Sequence, residues 1–330
     1  MKVVNHGAGG AAECMHIEER EIPTPGAGQV LIQVAYTGIN RPDVLQRMGL
    51  YAPPADAFPL LGLEVSGRVA ALGAGVSGLQ VGDKVAALVH GGGYAEYCIA
   101  EQGQVLPVPD GLDMKVAAAL PETWFTVWSN MVGHGRLKAG ERLLVHGGAS
   151  GIGMTALQLA KHLGVECYAT VADADQARFC MEFGASGTIN FNSEDFAVEV
   201  KKLTHGEGVD VVLDIIGVPY FARNLDLLRK DGRLVFIGFL GGFKGECDLL
   251  PVLFKRLTIT GSTLRPRSNA EKQVIRDQLL QNIWPAYAKG ELKTHIFASF
   301  PLSEVVEAHR LMESNQHIGK IVLEVDKSLA

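Results

Sequence analysis

Hydrophobic and polar positions change their period near residue 115 of the chain. Before that point, short alternating or apolar runs such as QVLIQVAYTG, EVSGRVAAL and YAEYCIA are separated by clusters of Gly, Pro and Asp, which is typical of a compact all-β unit. After it, apolar runs such as RLLVHG, VECYATV and VDVVLDIIG alternate with helical patterns. Such alternation builds a parallel sheet with helices on both faces. The pattern therefore predicts an α/β chain, in which a β-rich unit precedes a doubly wound parallel sheet.

Composition narrows the class of protein. The chain has 330 residues, is 47% hydrophobic and contains no apolar run near the ~20 residues that a membrane span needs. Its start, MKVVNHGAGGAAECMHIEEREIP, lacks the charged head and apolar middle of a secretory signal, so a cytoplasmic location is expected. A net charge of −6 without a basic run argues against nucleic acid or a membrane as partner. The five cysteines form no CxxC pair and are predicted to be buried thiols.

The stretch from 143 to 164, LLVHGGASGIGMTALQLAKHLG, is the clearest functional motif. It follows a predicted strand and opens a predicted helix. Missing side chains at such a turn let the backbone approach a pyrophosphate, whose charge meets the free amides of the helix. The GxGxxG template holds, except that a serine takes the place of the middle glycine. We predict that the dinucleotide is bound by Gly148, Ser150, Gly151, Ile152 and Gly153, the alternative being a tight turn that only closes the sheet.

An acidic residue stands where a dinucleotide site needs one. Asp173 lies roughly 20 residues past the last glycine, so its carboxylate is expected to bind the adenosine ribose, which favours NAD over NADP. A 2′-phosphate there would be repelled unless a cation intervened, and Arg178 is the nearest candidate. The alternative is that Asp173 only caps the next helix.

Two later strand ends extend the predicted cofactor site. Ligands of open parallel sheets bind outside the carboxyl ends of the strands. The run VDVVLDIIG ends at Gly217, and GRLVFIGF ends at Gly238 and Phe239. We therefore expect these three residues to lie near the dinucleotide.

Several separated motifs occur in one order along the chain: TGINRPDVLQRMGLY, LLGLEVSGRV, VHGGASGIG, GRLVFIGFLGG, GSTLRPRS and HIGKIVLEV. With them the chain resembles the medium-chain dehydrogenase/reductase superfamily, more narrowly its zinc-free quinone oxidoreductase branch, the group of the zeta-crystallin-like enzymes. The resemblance implies a GroES-like catalytic domain over 1–119, a Rossmann domain over 120–265, and a segment 266–330 that returns to the catalytic domain. It also implies NAD(P)H-dependent reduction of quinones or similar conjugated carbonyls.

The chain departs from the zinc alcohol dehydrogenases of that superfamily at their metal site. By motif, the positions of the zinc ligands look like Asn40, Leu63 beside Glu64, and Glu122. Only Glu122 is a good zinc ligand, because leucine has no lone pair and an amide oxygen binds zinc poorly. We therefore expect no zinc.

Without a metal ion, fewer kinds of molecule can accept the hydride. A ketone is then a difficult hydride acceptor, whereas a quinone gains an aromatic ring and a weakly basic oxyanion. One or two neutral donors then suffice, each contributing up to ~3 kcal/mol. We predict that Asn40 supplies an amide donor and Tyr51 a phenol donor. The alternatives are a turn role for Asn40 and a solvent-facing loop position for Tyr51.

The resemblance adds residues to the predicted site that the hydrophobic pattern does not indicate. It places Thr126, in LPETWFTVW, near the nicotinamide, and adds Leu264 in GSTLRP and Lys320 in HIGKIV near the nicotinamide half or the cleft. The alternative for Lys320 is a solvated strand end. Trp124 and Trp128 lie four residues apart and are expected in the core instead.

The residues of this chain and the habit of its family favour different cofactors. Relatives that use NADPH carry a small residue, a serine and a lysine after the second strand, where this chain has Ala172, Asp173 and Gln176. Phe191 and Arg178 are the residues able to compensate. We expect NADP(H) slightly ahead of NAD(H), since the branch as a whole leans to NADPH.

Assembly and two further functions follow from the resemblance. Family members often pair the sixth strands of their cofactor domains, and RLTITGSTL is a suitable alternating edge, so a homodimer is expected. An enone or enoyl-thioester reductase would need the same hydride but a differently lined pocket. A dinucleotide-binding protein with a non-catalytic role is the other alternative.

Overall fold

The computed structural model describes residues 1–329, which form two compact units. Unit 1 comprises Met1–Phe125 and the chain from Arg265 onward, and unit 2 comprises Thr126–Leu264. The strands are β1 Lys2–Asn5, β2 His16–Glu19, β3 Gln29–Ile39, β4 Glu64–Leu72, β5 Lys84–Leu88, β6 Tyr97–Glu101, β7 Val105–Pro107, β8 Arg142–Val145, β9 Glu166–Val171, β10 Gly187–Asn190, β11 Val209–Asp214, β12 Leu228–Phe236, β13 Thr258–Gly261, β14 Ile296–Pro301 and β15 Lys320–Glu324. The α-helices are α1 Arg41–Arg47, α2 Met114–Ala117, α3 Pro121–Trp128, α4 Gly151–Leu163, α5 Ala174–Glu182, α6 Phe196–Leu203, α7 Val218–Leu227, α8 Leu250–Lys255, α9 Asn269–Asn282, α10 Trp284–Ala288 and α11 Val305–Ser314.

Unit 1 is built on a sheet in the order β14-β15-β3-β4-β5-β7, with β6 also pairing with β3. All pairings in this sheet are antiparallel except that of β14 with β15. The long strand β3 is its centre, since alternate residues Val30, Ile32 and Val34 point into one core that also holds Val65 and Val85. Strand β3 ends at Ile39, which packs in a second core under α11. These two cores fix the end of β3, where the functional residues of this unit begin.

Unit 2 is a six-stranded sheet in the order β10-β9-β8-β11-β12-β13, with every pairing parallel. The strand order reverses between β8 and β11, which is the point where ligands bind in doubly wound sheets. Strand β8 supplies Leu143, Leu144 and Val145, all fully buried, as expected for a strand covered on both faces. The parallel sheet predicted from the alternating pattern is therefore confirmed.

Helices α9 and α10 are separate: α9 starts at a capping box on Ser268, and Pro285 at the start of α10 has no amide to continue the hydrogen-bond ladder. Two predicted features differ in the structure. The first boundary between units lies inside α3 rather than after residue 119. All five cysteines are free, but only three are buried, and Cys247 is exposed in the loop before α8, where no core covers it. Trp124 and Trp128 are buried, as predicted.

Candidate functional site

The predicted cofactor residues of unit 2 follow the carboxyl ends of its strands, except Thr126, which lies on α3 before the first of them. Because parallel strands end at one edge of a sheet, these residues gather at that edge. The residues and the strands they follow are Gly148–Gly153 after β8, Asp173 after β9, Phe191 after β10, Gly217 after β11, Gly238 and Phe239 after β12, and Leu264 after β13.

The glycine-rich turn after β8 is too tight for side chains at two positions. A Cβ on Gly153 would lie 2.4 Å from the carbonyl oxygens of Gly147 and Gly148, and one on Gly148 would lie 2.5 Å from the Cβ of Ala169. Ser150 is the N-cap of α4 and accepts the amide of Gly153 at 3.0 Å. The first amides of a helix have no intrahelical acceptor, so those of Gly151 and Ile152 are left for an anion at the positive end of α4. This turn therefore fits a dinucleotide pyrophosphate.

The turn after β9 carries the predicted ribose ligand. Asp173 is exposed and is the N-cap of α5, where its Oδ1 accepts the amide of Gln176 at 2.8 Å. Its second carboxylate oxygen remains for a hydroxyl ligand. Arg178 is also exposed, but its guanidinium pairs with Asp175, one turn back on α5. The only cation expected near a 2′-phosphate is thus already engaged by an acid.

Backbone contacts bring the turn after β10 beside the turn after β9. The amide of Phe191 donates to Val171 O at 3.0 Å, and Asn192 Nδ2 donates to Ala172 O at 2.9 Å. Phe191 is 41% exposed, so its ring offers an apolar face to a ligand at these turns.

The turn after β11 requires a glycine. Gly217 has φ +92°, and a Cβ there would lie 2.4 Å from Gly242 O and 2.7 Å from Phe239 Cδ1. Gly217 therefore lets the turns after β11 and β12 pack closely together. Phe239 is 48% exposed at this place.

A buried polar network that the sequence did not reveal joins the turns after β8 and β11. Asp214 Oδ1 accepts the amide of Gly217 at 3.0 Å, and its Oδ2 accepts Asn224 Nδ2 at 2.7 Å. Asn224 Oδ1 faces His146 Nε2 at 2.8 Å, and His146 Nδ1 faces Thr170 Oγ1 at 3.2 Å. Thr170 Oγ1 in turn accepts the amide of Gly147 at 3.1 Å.

The hydrogen bonds of this network all point in one direction, towards Asp214. Because Asp214 can only accept, Asn224 must present its amide nitrogen to Asp214 and its oxygen to His146. His146 therefore carries its proton on Nε2 and accepts from Thr170 at Nδ1. Burial lowers the pKa of His146 to about 4 and raises that of Asp214 to about 6, so at neutral pH the imidazole is neutral and the carboxylate is ionised.

In unit 1 the predicted residues Asn40 and Lys320 meet at the buried carboxylate of Glu64. Lys320 Nζ donates to Glu64 Oε1 and Asn40 Oδ1, both at 2.6 Å, and to Ile39 O at 3.3 Å. Asn40 Nδ2 donates to Glu64 Oε1 at 2.8 Å. Lys320 is 3% exposed, so the alternative of a solvated strand end is wrong. Three acceptors use all three of its donors, which makes Lys320 a positioning residue.

Local structure holds this cluster in place. Asn40 follows β3 as the N-cap of α1, and the buried Asp43 accepts its amide at 2.8 Å and that of Gly62 at 3.0 Å. Burial raises the pKa of Asp43 to about 6. A Cβ on Gly38 would lie 2.1 Å from Glu64 Oε1, so only glycine at that position leaves room for the carboxylate.

Tyr51 lies near charged groups that sequence reasoning did not include. It is part-exposed, and the pKa of its phenol is raised by burial and by Glu122 but lowered by Arg265. Arg265 is buried and donates to Gln46 Oε1 at 2.6 Å and to His90 O at 3.1 Å. The neutral phenol is therefore kept as a donor at neutral pH.

Comparison with known proteins agrees with this geometry. The family model Alcohol dehydrogenase GroES-like domain matches residues 26–110, and the model Zinc-binding dehydrogenase matches residues 151–279. The human quinone oxidoreductase is 30% identical over 308 residues, which cover 92% of this chain and 91% of that protein. The chain belongs to the medium-chain dehydrogenase/reductase superfamily. Within the superfamily it falls in the zinc-free, quinone oxidoreductase-like branch.

Other members of the superfamily widen the comparison. A mycocerosic acid synthase-like polyketide synthase of Mycolicibacterium smegmatis is 31% identical over 96% of this chain, but the chain spans only 15% of its length. The Escherichia coli quinone oxidoreductase complexed with NADPH superposes with a TM-score of 0.87 at 27% identity, covering 98% of this chain and 100% of that one. The CurK enoyl reductase superposes with a TM-score of 0.86 at 29% identity, covering 98% of each chain.

Three of these similar proteins match this chain over nearly their whole length, and they are named as quinone oxidoreductases and an enoyl reductase. No helix within residues 1–329 is both long and apolar enough to cross a bilayer.

The zinc of other superfamily members does not fit the residues of this chain. Leu63 has no donor atom, and the oxygen of Asn40 already accepts the ammonium of Lys320. Glu122 alone could ligate a metal, and a tetrahedral site needs at least three protein ligands. In the described part of the chain, no three His, Cys, Asp or Glu side chains cluster in a way that could hold a metal ion.

Proposed function

We propose that this protein is a zinc-independent NAD(P)H reductase that transfers a hydride to quinones or similar conjugated carbonyls. The observation that carries the proposal is the Lys320–Glu64–Asn40 cluster: Asn40, at a position whose counterpart binds zinc in other members, is held instead by a buried carboxylate and an ammonium ion. An acceptor that stores charge in an aromatising ring suits such a site, because weak neutral donors are enough for it.

The donors proposed for the acceptor are Asn40 and Tyr51. One N–H of the Asn40 amide is held by Glu64, which fixes the plane of the amide and leaves the other N–H for a ligand. Tyr51 is part-exposed and its phenol is neutral. When bound, the dinucleotide supplies the hydride, and the chain orients the acceptor and donates hydrogen bonds to its oxygen.

An acceptor panel tests this function. The rates of NADPH and NADH oxidation are measured with 1,4-benzoquinone, 9,10-phenanthrenequinone, an enone and an enoyl thioester. Quinone turnover well above the others supports the proposal. Preference for the enone or thioester would support the alternative, which similarity to the CurK enoyl reductase favours. Binding of a dinucleotide without oxidation by any acceptor would indicate a non-catalytic role.

Removal of a single hydroxyl tests the donor role of Tyr51. We expect Tyr51→Phe to lower kcat for quinones by ~10²-fold, as loss of one donor to a developing oxyanion does. Tyr97→Phe, at another part-exposed tyrosine of unit 1, is the matched control and should leave kcat unchanged. Equal rates for both variants would assign the chemistry to cofactor alignment alone.

We propose NADPH as the preferred cofactor, with NADH close behind. The complex of a structural neighbour, the Escherichia coli quinone oxidoreductase, with NADPH supports the first. Asp173 and the pairing of Arg178 with Asp175 favour the second, because they put acid where the 2′-phosphate would lie.

We propose that the protein forms a homodimer through β13. Within residues 1–329, β12 is the one strand that pairs with β13, and Ile259 of β13 is exposed. The helix before β13 in the chain carries an apolar surface. That surface includes Leu250, Leu253 and Phe254 of α8, each more than half exposed. Analytical ultracentrifugation should give twice the chain mass, and a monomer at micromolar concentration would exclude this dimer.

We also propose a cytosolic location. The five free cysteines suit a reducing compartment. Cell fractionation that recovers the protein with cytosolic markers would support the location, and recovery in another compartment would exclude it.

A further inference from the structure

Glu122 is an acid whose role the proposed function leaves open. It lies on α3, where every other residue from Pro121 to Trp128 is buried except Thr126. Glu122 itself is only part-buried. Its carboxyl group is therefore reachable from outside the core of unit 1.

The carboxyl group of Glu122 has no partner of its own in unit 1. Its backbone amide donates to Glu64 Oε2 at 2.9 Å, which places it directly beside the buried ion pair. Lys320 cannot pair with it, because Glu64, Asn40 and Ile39 occupy its donors. Among the described residues of this unit, the Glu122 carboxyl makes no hydrogen bond or ion pair.

Charged groups of both signs act on Glu122, and burial has the largest effect on its protonation. Glu64 and Asp43 disfavour a second negative charge, whereas Lys320 and Lys272 favour it. Burial is the largest influence, and together these effects raise the pKa of Glu122 to about 8. At neutral pH the group is therefore mostly a neutral acid with an O–H to give.

The proposed donor Asn40 belongs to the same surroundings. Asn40 Nδ2 donates to Glu64 Oε1 at 2.8 Å, and the Glu122 amide donates to Glu64 Oε2 at 2.9 Å. One carboxylate therefore links Glu122 to a donor proposed for the acceptor.

We propose that Glu122 is the proton donor to the reduced acceptor, an inference that rests on the proposed function. The acceptor takes two electrons with the hydride, and the dinucleotide is oxidised. The O–H bond of Glu122 breaks, and a new O–H bond forms on the acceptor oxygen that has gained charge. The carboxylate then recovers its proton from water, so one acceptor, one hydride and one proton give one reduced product.

The pH dependence of Glu122→Gln tests the proton donor. In the wild type we expect kcat to fall as the pH rises through about 8, the pKa of the group. Glutamine keeps a hydrogen-bond donor but has no proton to transfer, so KM should change little and kcat should fall by ~10²-fold with no decline near this pH. Glu96→Gln makes the same change at a part-exposed glutamate that accepts the Lys2 amide, and it should behave as the wild type does. A Glu122→Gln variant with the wild-type rate and pH profile would overturn the proposal.

Stability provides a second measurement that needs no activity. Because the folded pKa lies above the ordinary value of 4.5, the unfolded chain ionises first as the pH rises, and the wild type loses stability up to about pH 8. The Tm of Glu122→Gln should therefore exceed that of the wild type by an amount that grows from pH 4.5 to 8 and then stays constant. A difference in Tm that stays constant over this range, in protein that is active, would overturn the role of Glu122 but not the proposed function. A wild type that oxidises neither cofactor would overturn the proposed function and this role together.

Discussion

The two units build their functional residues in opposite ways. In unit 2 the proposed dinucleotide turn is one continuous stretch that offers backbone amides and missing side chains to a ligand. In unit 1 the cluster joins Asn40 to Glu64 and Lys320, which are 24 and 280 positions away along the chain. The comparison shows that a site made of backbone groups can be found from a short stretch of sequence. A site made of side chains depends on the whole fold, because its residues are far apart in the chain.

The largest effect is expected from removing the cation of unit 1. Lys320→Met leaves Glu64 charged and buried without its partner, which should lower the free energy of unfolding by about 3–5 kcal/mol. Denaturant unfolding at neutral pH measures this change.

Two further variants show whether the loss comes from an unpaired buried charge. Adding Glu64→Gln to Lys320→Met should restore part of the stability. Lys202→Met, in an exposed pair with Glu199, should change it by less than about 1 kcal/mol. Equal losses at Lys320 and Lys202 would contradict a special role for the buried pair.

The buried network of unit 2 should give the next largest effect. Asn224→Leu leaves Asp214 Oδ2 and His146 Nε2 without partners, and a loss of about 1–3 kcal/mol is expected for each buried group. The same variant should weaken dinucleotide binding, because the network fixes the turns that carry Gly147 and Gly217. Calorimetry of unfolding and of cofactor binding measures both effects, and unchanged cofactor affinity would restrict the network to a structural role.

Because His146 can be protonated, the contribution of this network to stability should depend on pH. Its folded pKa of about 4 lies below the ordinary 6.5, so its contribution to stability is complete above pH 6.5 and is lost as the pH falls through 4. In nitrogen NMR the ring should show a proton on Nε2 and no titration between pH 5 and 8. A ring that titrates near 6.5 would contradict the direction of the donors.

A methyl group in the glycine-rich turn should weaken cofactor binding directly. In Gly153→Ala the new Cβ would meet two carbonyl oxygens at 2.4 Å, so α4 must move away from the turn. We expect at least a tenfold rise in the dinucleotide Kd, or about 1.4 kcal/mol. Gly133→Ala, where a Cβ meets nothing within 4 Å, is the control. Wild-type affinity in Gly153→Ala would indicate that this turn does not hold the pyrophosphate.

The smallest effect is expected from substitutions of Asp173, which should change the preference between NADPH and NADH without disturbing the fold. Asp173→Ser removes a charge but keeps a residue able to cap α5, so stability should hold within about 0.5 kcal/mol. The ratio of kcat/KM for NADPH to that for NADH should rise several-fold. Asp173→Ala should shift the ratio equally but cost about 1 kcal/mol for the lost cap. An unchanged ratio would show that Asp173 does not lie near the 2′ position.

The fold could be predicted from the sequence because it rests on local patterns, and the prediction of a cofactor turn rests on such a pattern as well. The period of apolar residues predicts the parallel sheet, and the spacing from Gly148 to Gly153 predicts its phosphate turn. The network around His146 was missed, since its members come from the turn after β8, two strands and a helix that no motif relates. Glu122 was considered only as a zinc ligand, because its protonation depends on neighbours that folding brings together.

Metal removal tests the central claim most directly. The protein is treated with a strong chelator, its zinc content is measured, and quinone-dependent NADPH and NADH oxidation is compared before and after. The account predicts an unchanged rate, because Leu63 and the occupied oxygen of Asn40 cannot complete a zinc site. A rate that falls with the zinc content and returns when zinc is added would contradict it.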